Sequence, residues 1–534
     1  MPLPSPAPVP LSSPNLRMLA FLAGMVFLWT FLCAISHRAP DLDGMEELVW
    51  ASSLELGYLK HPPFPSWIMH GLTQIFGRPV WLTFLAGQLF SALALWFIWL
   101  LAREMVSQRK ALMVTLLTST IIYFSLRGTI FNHNTAQLWA VTASTWLLYR
   151  ALRDRRPSSW AWLGVVCGLG MMSKYSIIIQ LTAYFLFMLR QGSLKQASTW
   201  KGLGLAFLVF LIVVSPHAYW LIANDFAPMR YANGSLEAMS RLDSFKHLLD
   251  FTLDQAARLS PMIVVWLAWA VWTRRAGTPR VYALESDVDR KRRYVCAFSD
   301  WDKSFLLWVG LTPLLATLLV SGVLGTRLVA SWGTTFFVLY GFYVLWRLHG
   351  HEQVTLRRIA ILVITVHVLM ALGYALARGP LAWHSGRDTR STFPGQLIAQ
   401  RMQQVWNAHV PAHPLRLVAS DTWLGGNIAI HAGPDVQVFI DGRYEESPWL
   451  ARGKALDCGA LLVYSIQTRG KPADTLMRLY DLATWKGRES LPWSSSKSPT
   501  IDLNWGIIEP GPDCARSNGA HALAEEIQEG AHGG

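Results

Sequence analysis

The stretch DLDGMEELVWASSLELGYLKHPPFPSW, from Asp41 to Trp67, crowds acids, a lysine, a histidine and a proline pair into one short loop. Asp43 is followed three residues later by Glu46. A carboxylate held within hydrogen-bond reach of a hydroxyl can take its proton. The same spacing also reads as a helix start, with Asp43 as N-cap and the acid at N3 closing a reciprocal cap. Met45, Leu48, Val49, Leu54 and Leu56 then supply an apolar face for a short helix lying in a membrane interface. Glu47 reads as part of the solvated face. In the second half, Pro62 and Pro63 fix φ and push their neighbours into extended geometry, which holds Lys60 and His61 in place. A lysine there can meet a phosphate as a point charge or simply snorkel to the interface.

The rest of the chain must position this loop. Its 534 residues are 52% hydrophobic and 15% charged, against about 25% charged in a soluble domain. The deficit and the 26 tryptophans point to a polytopic membrane protein with aromatic belts. Apolar stretches occur at 18–36, 80–102, 111–124, 135–152, 160–172, 177–189, 202–222, 260–272, 305–325, 328–346 and 359–377. That makes about 11 spans on the ~20-residue criterion. The first is longer than the apolar core of a cleaved signal peptide and reads as an uncleaved helix. Basic loops at Arg103–Lys110, Arg150–Arg156, Arg190–Lys201, Arg274–Lys303 (with DRKRR) and Arg347–Arg358 fall on one side. The positive-inside rule makes that side cytoplasmic. Residues 1–17 are then a cytoplasmic tail, 18–378 a transmembrane module, and its loop 37–79 external. The net charge of +13 belongs to these loops and is not a nucleic-acid footprint.

From 379 to 534 charges and prolines return. LRLVAS, VQVFID and GALLVYS read as short buried strands. FPGQLIAQRMQQVWNAH and ADTLMRLYDLATW read as amphipathic helices. Alternating strands and helices suggest an external α/β domain with a disordered end. Cys33, Cys167 and Cys296 fall in or near the membrane part. Cys458 and Cys514 fall in the outer domain, where an exported compartment permits a disulfide. No C-x-x-C metal spacing occurs.

The D-x-x-E after the first span, followed by Y-x-K-H-P-P-x-P-x-W, resembles the polyprenyl-phosphate-dependent glycosyltransferases of family 39. These are related to the protein O-mannosyltransferases and the lipid A aminoarabinose transferases. FNHNTAQLWAVTASTWLLYRAL from Phe131, GLGMMSKYSIIIQL from Gly168 and SPHAYWLIANDFAPMRYA from Ser215 extend the resemblance in order along the membrane part. It implies the GT-C architecture: a helical membrane core, a large first external loop and a cavity facing the periplasm of a bacterial inner membrane. It also implies a sugar donor carried on a polyprenyl phosphate and an acceptor that is lipid A, another glycan, a lipid or a protein. The family's loop aspartate maps onto Asp43, with Glu46 assisting. Lys60 and His61 stand at the family's D/E-H/K-P-P element, where they meet the donor phosphate or the acceptor. Arg327 in GTRLVASW and Lys174 in SKY are further phosphate ligands on this reading; each also reads as an interfacial anchor.

Two departures stand out. Many members carry an acid where this chain has Lys60, which puts a divalent metal in doubt, and no other cofactor is implied. Many also carry an aspartate in the second external loop, where this chain has Asn132 and Asn134. An asparagine can orient a hydroxyl but cannot take its proton. Asp225 reads as a helix-terminating turn. In DTWLGGNIAIHA, Gly425 and Gly426 read as a tight connection or a ligand-binding turn, and DGRYEESPW, from Asp441, as a surface loop or a cover for the cavity. A transporter or flippase of lipid-linked sugars would show charges mid-span or broken helices in repeated halves, and no internal repeat is evident. An inactive relative that binds lipid-linked sugar is the other alternative.

Overall fold

The computed structural model describes residues 13–235, 241–276, 298–349, 351–495, 497–512 and 514. Cys296, the DRKRR run and the expected disordered end lie outside the described residues. The chain divides into two compact units, Met1–Leu32 with Phe84–Gly373 and Cys33–Thr83 with Tyr374–Gly534. The loop 37–79 thus shares a unit with the C-terminal part.

The first unit is helical. Among the described residues six helices are long and apolar enough to cross a membrane: Asn15–Ser36, Trp81–Met105, Ala197–Ala223, Asp243–Ala276, Asp300–Leu324 and Glu352–His384. Length and composition alone thus mark six of the expected spans, and the count of eleven is not confirmed. The other apolar stretches fall on shorter or more polar helices, and the reasons are local. The stretch at 111–124 is helical only over Gln108–Ser119. There the hydroxyls of Thr115, Thr118, Ser119 and Thr120 donate back to carbonyls three or four residues earlier, a habit that competes with helix continuation. The stretch at 328–346 opens as a 3-10 turn, Ala330–Thr335, before the short helix Tyr340–Arg347. His133–Asp154 is long but polar; it buries Gln137, Thr142, Ser144 and Thr145 inside the unit rather than facing lipid.

Close helix contact in this unit needs small residues. A Cβ on Gly164, in Pro157–Ser173, would stand 2.3 Å from the Ala206 carbonyl oxygen of Ala197–Ala223. His367 pins three helices: Trp29 Nε1 donates to its Nδ1 at 3.1 Å, and its Nε2 lies 3.0 Å from Ser119 Oγ. The Trp29 bond makes Nδ1 the acceptor and leaves the proton on Nε2. Asp225, at φ 50°, sits in the turn that ends Ala197–Ala223.

In the second unit, two short helices form the loop: Leu42–Trp50 (α1) and Phe64–Phe76 (α2). The C-terminal part carries Gly395–His409 (α3), Leu417–Ser420 (β1), Thr422–Ala432 (α4), Gln437–Ile440 (β2), Ala460–Tyr464 (β3), Asp474–Asp481 (α5), Trp485–Pro492 (β4) and Thr500–Ile508 (β5). The sheet order is β2-β1-β3-β5-β4. β1 pairs in parallel with β2 and β3; β5 pairs antiparallel with β3 and β4. The three expected strands are the parallel core, and Leu417, Ala419, Phe439, Ala460 and Leu462 join Leu476 of α5 in one apolar cluster. Each such large side chain contributes roughly 1.5–3 kcal/mol when fully buried. Cys458 and Cys514 form a disulfide.

Gly425 and Gly426 lie inside α4, not in a turn. A Cβ on Gly425 would stand 2.9 Å from Val438 Cγ1 of the sheet; one on Gly426 would stand 2.5 Å from Met45 Sδ of α1. The pair lets one thin helix pack on the sheet and on the loop at once.

Candidate functional site

The loop is built on α1. Its N-cap is Asp41, not Asp43: the Asp41 carboxylate accepts from Leu42 N at 2.7 Å and pairs with Arg390 Nη1 at 2.8 Å. Asp43 sits half-buried in the first turn. Glu46 follows one turn on, so the two carboxylates share a face. Met45, Leu48 and Val49 are buried as expected, but Leu54 and Leu56 are exposed, because the helix has ended at Trp50.

Lys60 Nζ lies 2.6 Å from Glu46 Oε1. A turn aims it there: Tyr58 N donates to His61 O at 3.2 Å, and Tyr58 stacks flat on Trp50 with ring centroids 4.8 Å apart. Tyr58 OH also donates to the Trp50 and Ser53 carbonyls. Pro62 and Pro63 then lead into α2, whose N-cap is Pro63. The His61 ring is 6.2 Å from Trp50. Burial raises the pKa of Glu46; Lys60 opposes the rise, and the carboxylates of Asp43 and Glu446 add to it.

Glu47 is not on a solvated face. It is 3% exposed and accepts from Ser66 Oγ of α2 at 2.7 Å. Burial, above all, pushes its carboxyl up to about 8, so it is protonated at neutral pH and joins α1 to α2.

The C-terminal part meets the same end of α1. Trp423 Nε1, in the first turn of α4, donates to Pro40 O at 3.3 Å, and Gly426 faces Met45 and Val49. The amino ends of α1 and α4 thus lie side by side. Asp421 caps α4, accepting from Trp423 N at 2.9 Å and Leu424 N at 3.0 Å. Asp441, just past β2, pairs with Arg469, and Glu446 pairs with Arg443 at 3.1 Å. The sequence marks the stretches from Asp421 and Asp441, but not these pairings, because separate segments contribute their members. At the opposite end of α1 a cleft of about 610 Å³ is lined by Ser52, Thr73, Arg78, His431 and Asp435, among others. Its guanidinium is committed: Arg78 donates to the carbonyls of Ala429, Gly433, Pro434 and Val436, which closes the carboxyl end of α4.

In the helical unit three predicted residues come together. Asn132 Oδ1 accepts from Asn134 N and Thr135 N, so it caps His133–Asp154. Lys174 Nζ donates to Asn134 Oδ1 at 2.5 Å and stands 5.9 Å from the Trp332 ring. Gln137 Nε2 holds the Lys174 carbonyl at 2.5 Å. Arg327 is an exposed loop residue with no hydrogen bond or ion pair among the described residues. No group of three or more His, Cys, Asp or Glu that could hold a metal occurs among the described residues, and the loop offers Lys60, a cation, beside its acids. The residues present do not fit a metal ion.

The model of the family described as dolichyl-phosphate-mannose-protein mannosyltransferase matches residues 60–220. The lipopolysaccharide core galacturonosyltransferase RgtA of Rhizobium johnstonii is 24% identical over 440 residues, covering 78% of this chain and 81% of its own length. The lipid A galacturonosyltransferase RgtD of the same organism is 21% identical over 355 residues, covering 66% and 68%. The crystal structure of ArnT from Cupriavidus metallidurans bound to undecaprenyl phosphate shares the fold, with a TM-score of 0.52 and 15% identity over 91% of this chain and 98% of that one. With the membrane helices and the loop motifs, these matches make the chain similar to the GT-C membrane glycosyltransferases of the mannosyltransferase and ArnT type.

Proposed function

We propose that this glycosyltransferase moves a sugar from a polyprenyl phosphate to a hydroxyl of lipid A or of the lipopolysaccharide core, on the periplasmic side of the bacterial inner membrane. The names of the relatives supply the donor carrier and the acceptor class. The observation that carries the reading is the second unit itself. It holds Asp43, Glu46, Lys60 and His61 together with the Cys458–Cys514 disulfide. Disulfides persist on the oxidising side of a membrane, which supports placing the loop outside and the amino terminus inside, the orientation the basic loops favour.

The choice of donor follows from solvation. A charged nucleotide sugar does not cross the bilayer, because burying its charge is too costly; a lipid-borne sugar can be presented at the outer leaflet. Asp43 accepts the proton of the acceptor hydroxyl as that oxygen bonds to the anomeric carbon. The bond from that carbon to the phosphate oxygen breaks, and polyprenyl phosphate leaves with the electron pair. Direct displacement inverts the anomeric centre. Lys60, His61, Lys174 and Arg327 are the cations assigned to the leaving phosphate. Glu46, which pairs with Lys60, lies on the same helix as Asp43, and Asn132 and Asn134 in place of an acid leave the base on the first loop rather than the second.

The test is mass spectrometry of envelope glycans from a deletion strain complemented with wild type or with Asp43→Asn. A sugar that is missing in the deletion returns with wild type alone. Full restoration by the Asn variant would rule Asp43 out as the base.

A further inference from the structure

The parallel part of the sheet has a topological switch. The chain leaves β1, returns through α4 to β2 on one side, and later places β3 on the other side of β1. Open α/β sheets take ligands in the crevice outside the carboxyl ends of such strands. Here those ends carry Asp421, Asp441 and Ser465, with Arg469 following β3.

Asp441 stands out among them. It is 1% exposed; one carboxylate oxygen pairs with Arg469, and the other, Oδ1, has no hydrogen-bond partner among the described residues. A buried acceptor without a donor is uncommon in a folded protein and is costly. Arg469, by contrast, keeps 48% of its side chain in solvent and has forked N–H groups beyond the one used on Asp441. Around the pair stand Asp421 and Glu446, both close enough to act on Arg469. With Asp441 they make three acids, against Arg469 and the Arg443 that pairs with Glu446. Such a field disfavours a bare anion and favours a ligand that donates hydrogen bonds. A sugar ring offers hydroxyls that can donate to the carboxylates and accept from the guanidinium.

We infer that the carboxyl ends of β1 and β2, with Asp441 and Arg469 at their centre, form a carbohydrate subsite that holds the glycan of the acceptor. Its role rests on the proposed function; its existence does not. Its place agrees with that role. α4 starts at this edge and lies beside α1 at the end where Asp43 sits, through Trp423 on Pro40 and Gly426 on Met45. A sugar held here brings its hydroxyls toward the loop acids.

The test uses the full chain in detergent and a neutral probe, the N-acetylated glucosamine disaccharide, followed by saturation-transfer NMR. Inorganic phosphate serves as the competing probe. Arg469→Lys keeps the charge opposite Asp441 but loses the fork; it should weaken disaccharide binding about tenfold, the worth of one charge-assisted hydrogen bond. Its unfolding midpoint should stay within a degree or so of wild type. Asp43→Asn should bind the disaccharide as wild type does, and excess phosphate should leave binding unchanged. In transfer assays Arg469→Lys should raise the acceptor KM and leave kcat and the donor KM alone. Unchanged disaccharide binding in Arg469→Lys overturns the subsite, as does displacement by phosphate. A fall in the unfolding midpoint that accounts for the loss, or a rise in the donor KM alone, also overturns it. If Asp43→Asn proves fully active while Arg469→Lys still loses the disaccharide, the base assignment fails and the subsite stands.

Discussion

Two lysines are assigned to the donor phosphate, and the two units of the molecule hold them differently. In the loop unit Lys60 meets a carboxylate, Glu46, at 2.6 Å. In the helical unit Lys174 meets a neutral amide oxygen, that of Asn134, at 2.5 Å. Close to each lysine the contrast continues, although the helical unit has ion pairs elsewhere, such as Arg258 with Asp254 and Lys303 with Asp300. The loop unit builds opposite-charge pairs: Asp41 with Arg390, Asp441 with Arg469, Glu446 with Arg443. Around Lys174 the described contacts include amides and hydroxyls: Asn132 as cap, Gln137 on a carbonyl, Ser176 on Gln137. Buried charge pairs cost desolvation that good geometry must offset, so neutral partners suit the ends of membrane helices. On the proposed function this contrast becomes a division of labour, with proton chemistry in the loop unit and fixed charge in the helical one.

The largest expected effect tests that division directly. Asp43→Asn should lower kcat about 10²–10⁴-fold, the usual worth of a general base, with the unfolding midpoint unchanged, measured by single-turnover transfer from a polyprenyl-phosphate sugar. A loss of less than tenfold would show that the helical unit or bulk water takes the proton, and the contrast would fail.

Next in size is the disulfide. Cys458 and Cys514 are 56 residues apart, and cross-linking a loop of that length is worth about 4 kcal/mol in the chain-entropy account and about 2–4 typically. Replacing both by serine should lower the unfolding midpoint of the loop unit, read by hydrogen exchange of β1 and β3, and leave exchange in the membrane helices unchanged. Equal loss in both units would mean that they unfold as one.

Parts of this molecule are legible in the sequence and parts are not. The loop motif announces its acids and cations because they sit within one short stretch. β1, β2 and β3 are legible because strands buried on both faces read as continuous apolar runs. β4, WKGRESLP, is not: it is an edge strand with charged, exposed residues, as edges are built to be. The Asp441–Arg469 pair is invisible to any local reading, because 28 residues separate its members. Glu47 misleads for another reason. Its neighbour pattern fits a solvated face, but α2 folds back and buries it against Ser66. Asn132, expected to orient a hydroxyl, uses its side-chain oxygen to cap a helix.

Glu47 gives the third prediction, and its sign can be worked out. Burial raises its folded pKa to about 8 from an ordinary value of 4.5. The folded state then holds a proton that the unfolded state releases between those values, so stability falls as pH rises through that window. Glu47→Gln keeps the shape and can still accept from Ser66. It should remove the slope, match wild type below pH ~4.5, and gain about 1–3 kcal/mol at neutral pH. The check is the unfolding midpoint of both proteins from acid to mildly alkaline pH. A slope that survives in the Gln variant would assign it to Glu46 instead.

The smallest effect returns to the two lysines. Lys60→Ala and Lys174→Ala should each raise the donor KM about tenfold, or ~1.4 kcal/mol, if each touches the leaving phosphate. Their partners should not behave alike. Glu46→Gln removes the charge that fixes Lys60 and also a neighbour of Asp43, so it should shift the pH profile of kcat. Asn134→Ala removes only a neutral acceptor from Lys174 and should alter the donor KM with the profile in place. Steady-state kinetics across pH on the four variants reads both quantities. If Asn134→Ala moves the pH profile as far as Glu46→Gln does, the amide cluster is coupled to the proton transfer, and proton chemistry does not belong to the loop unit alone.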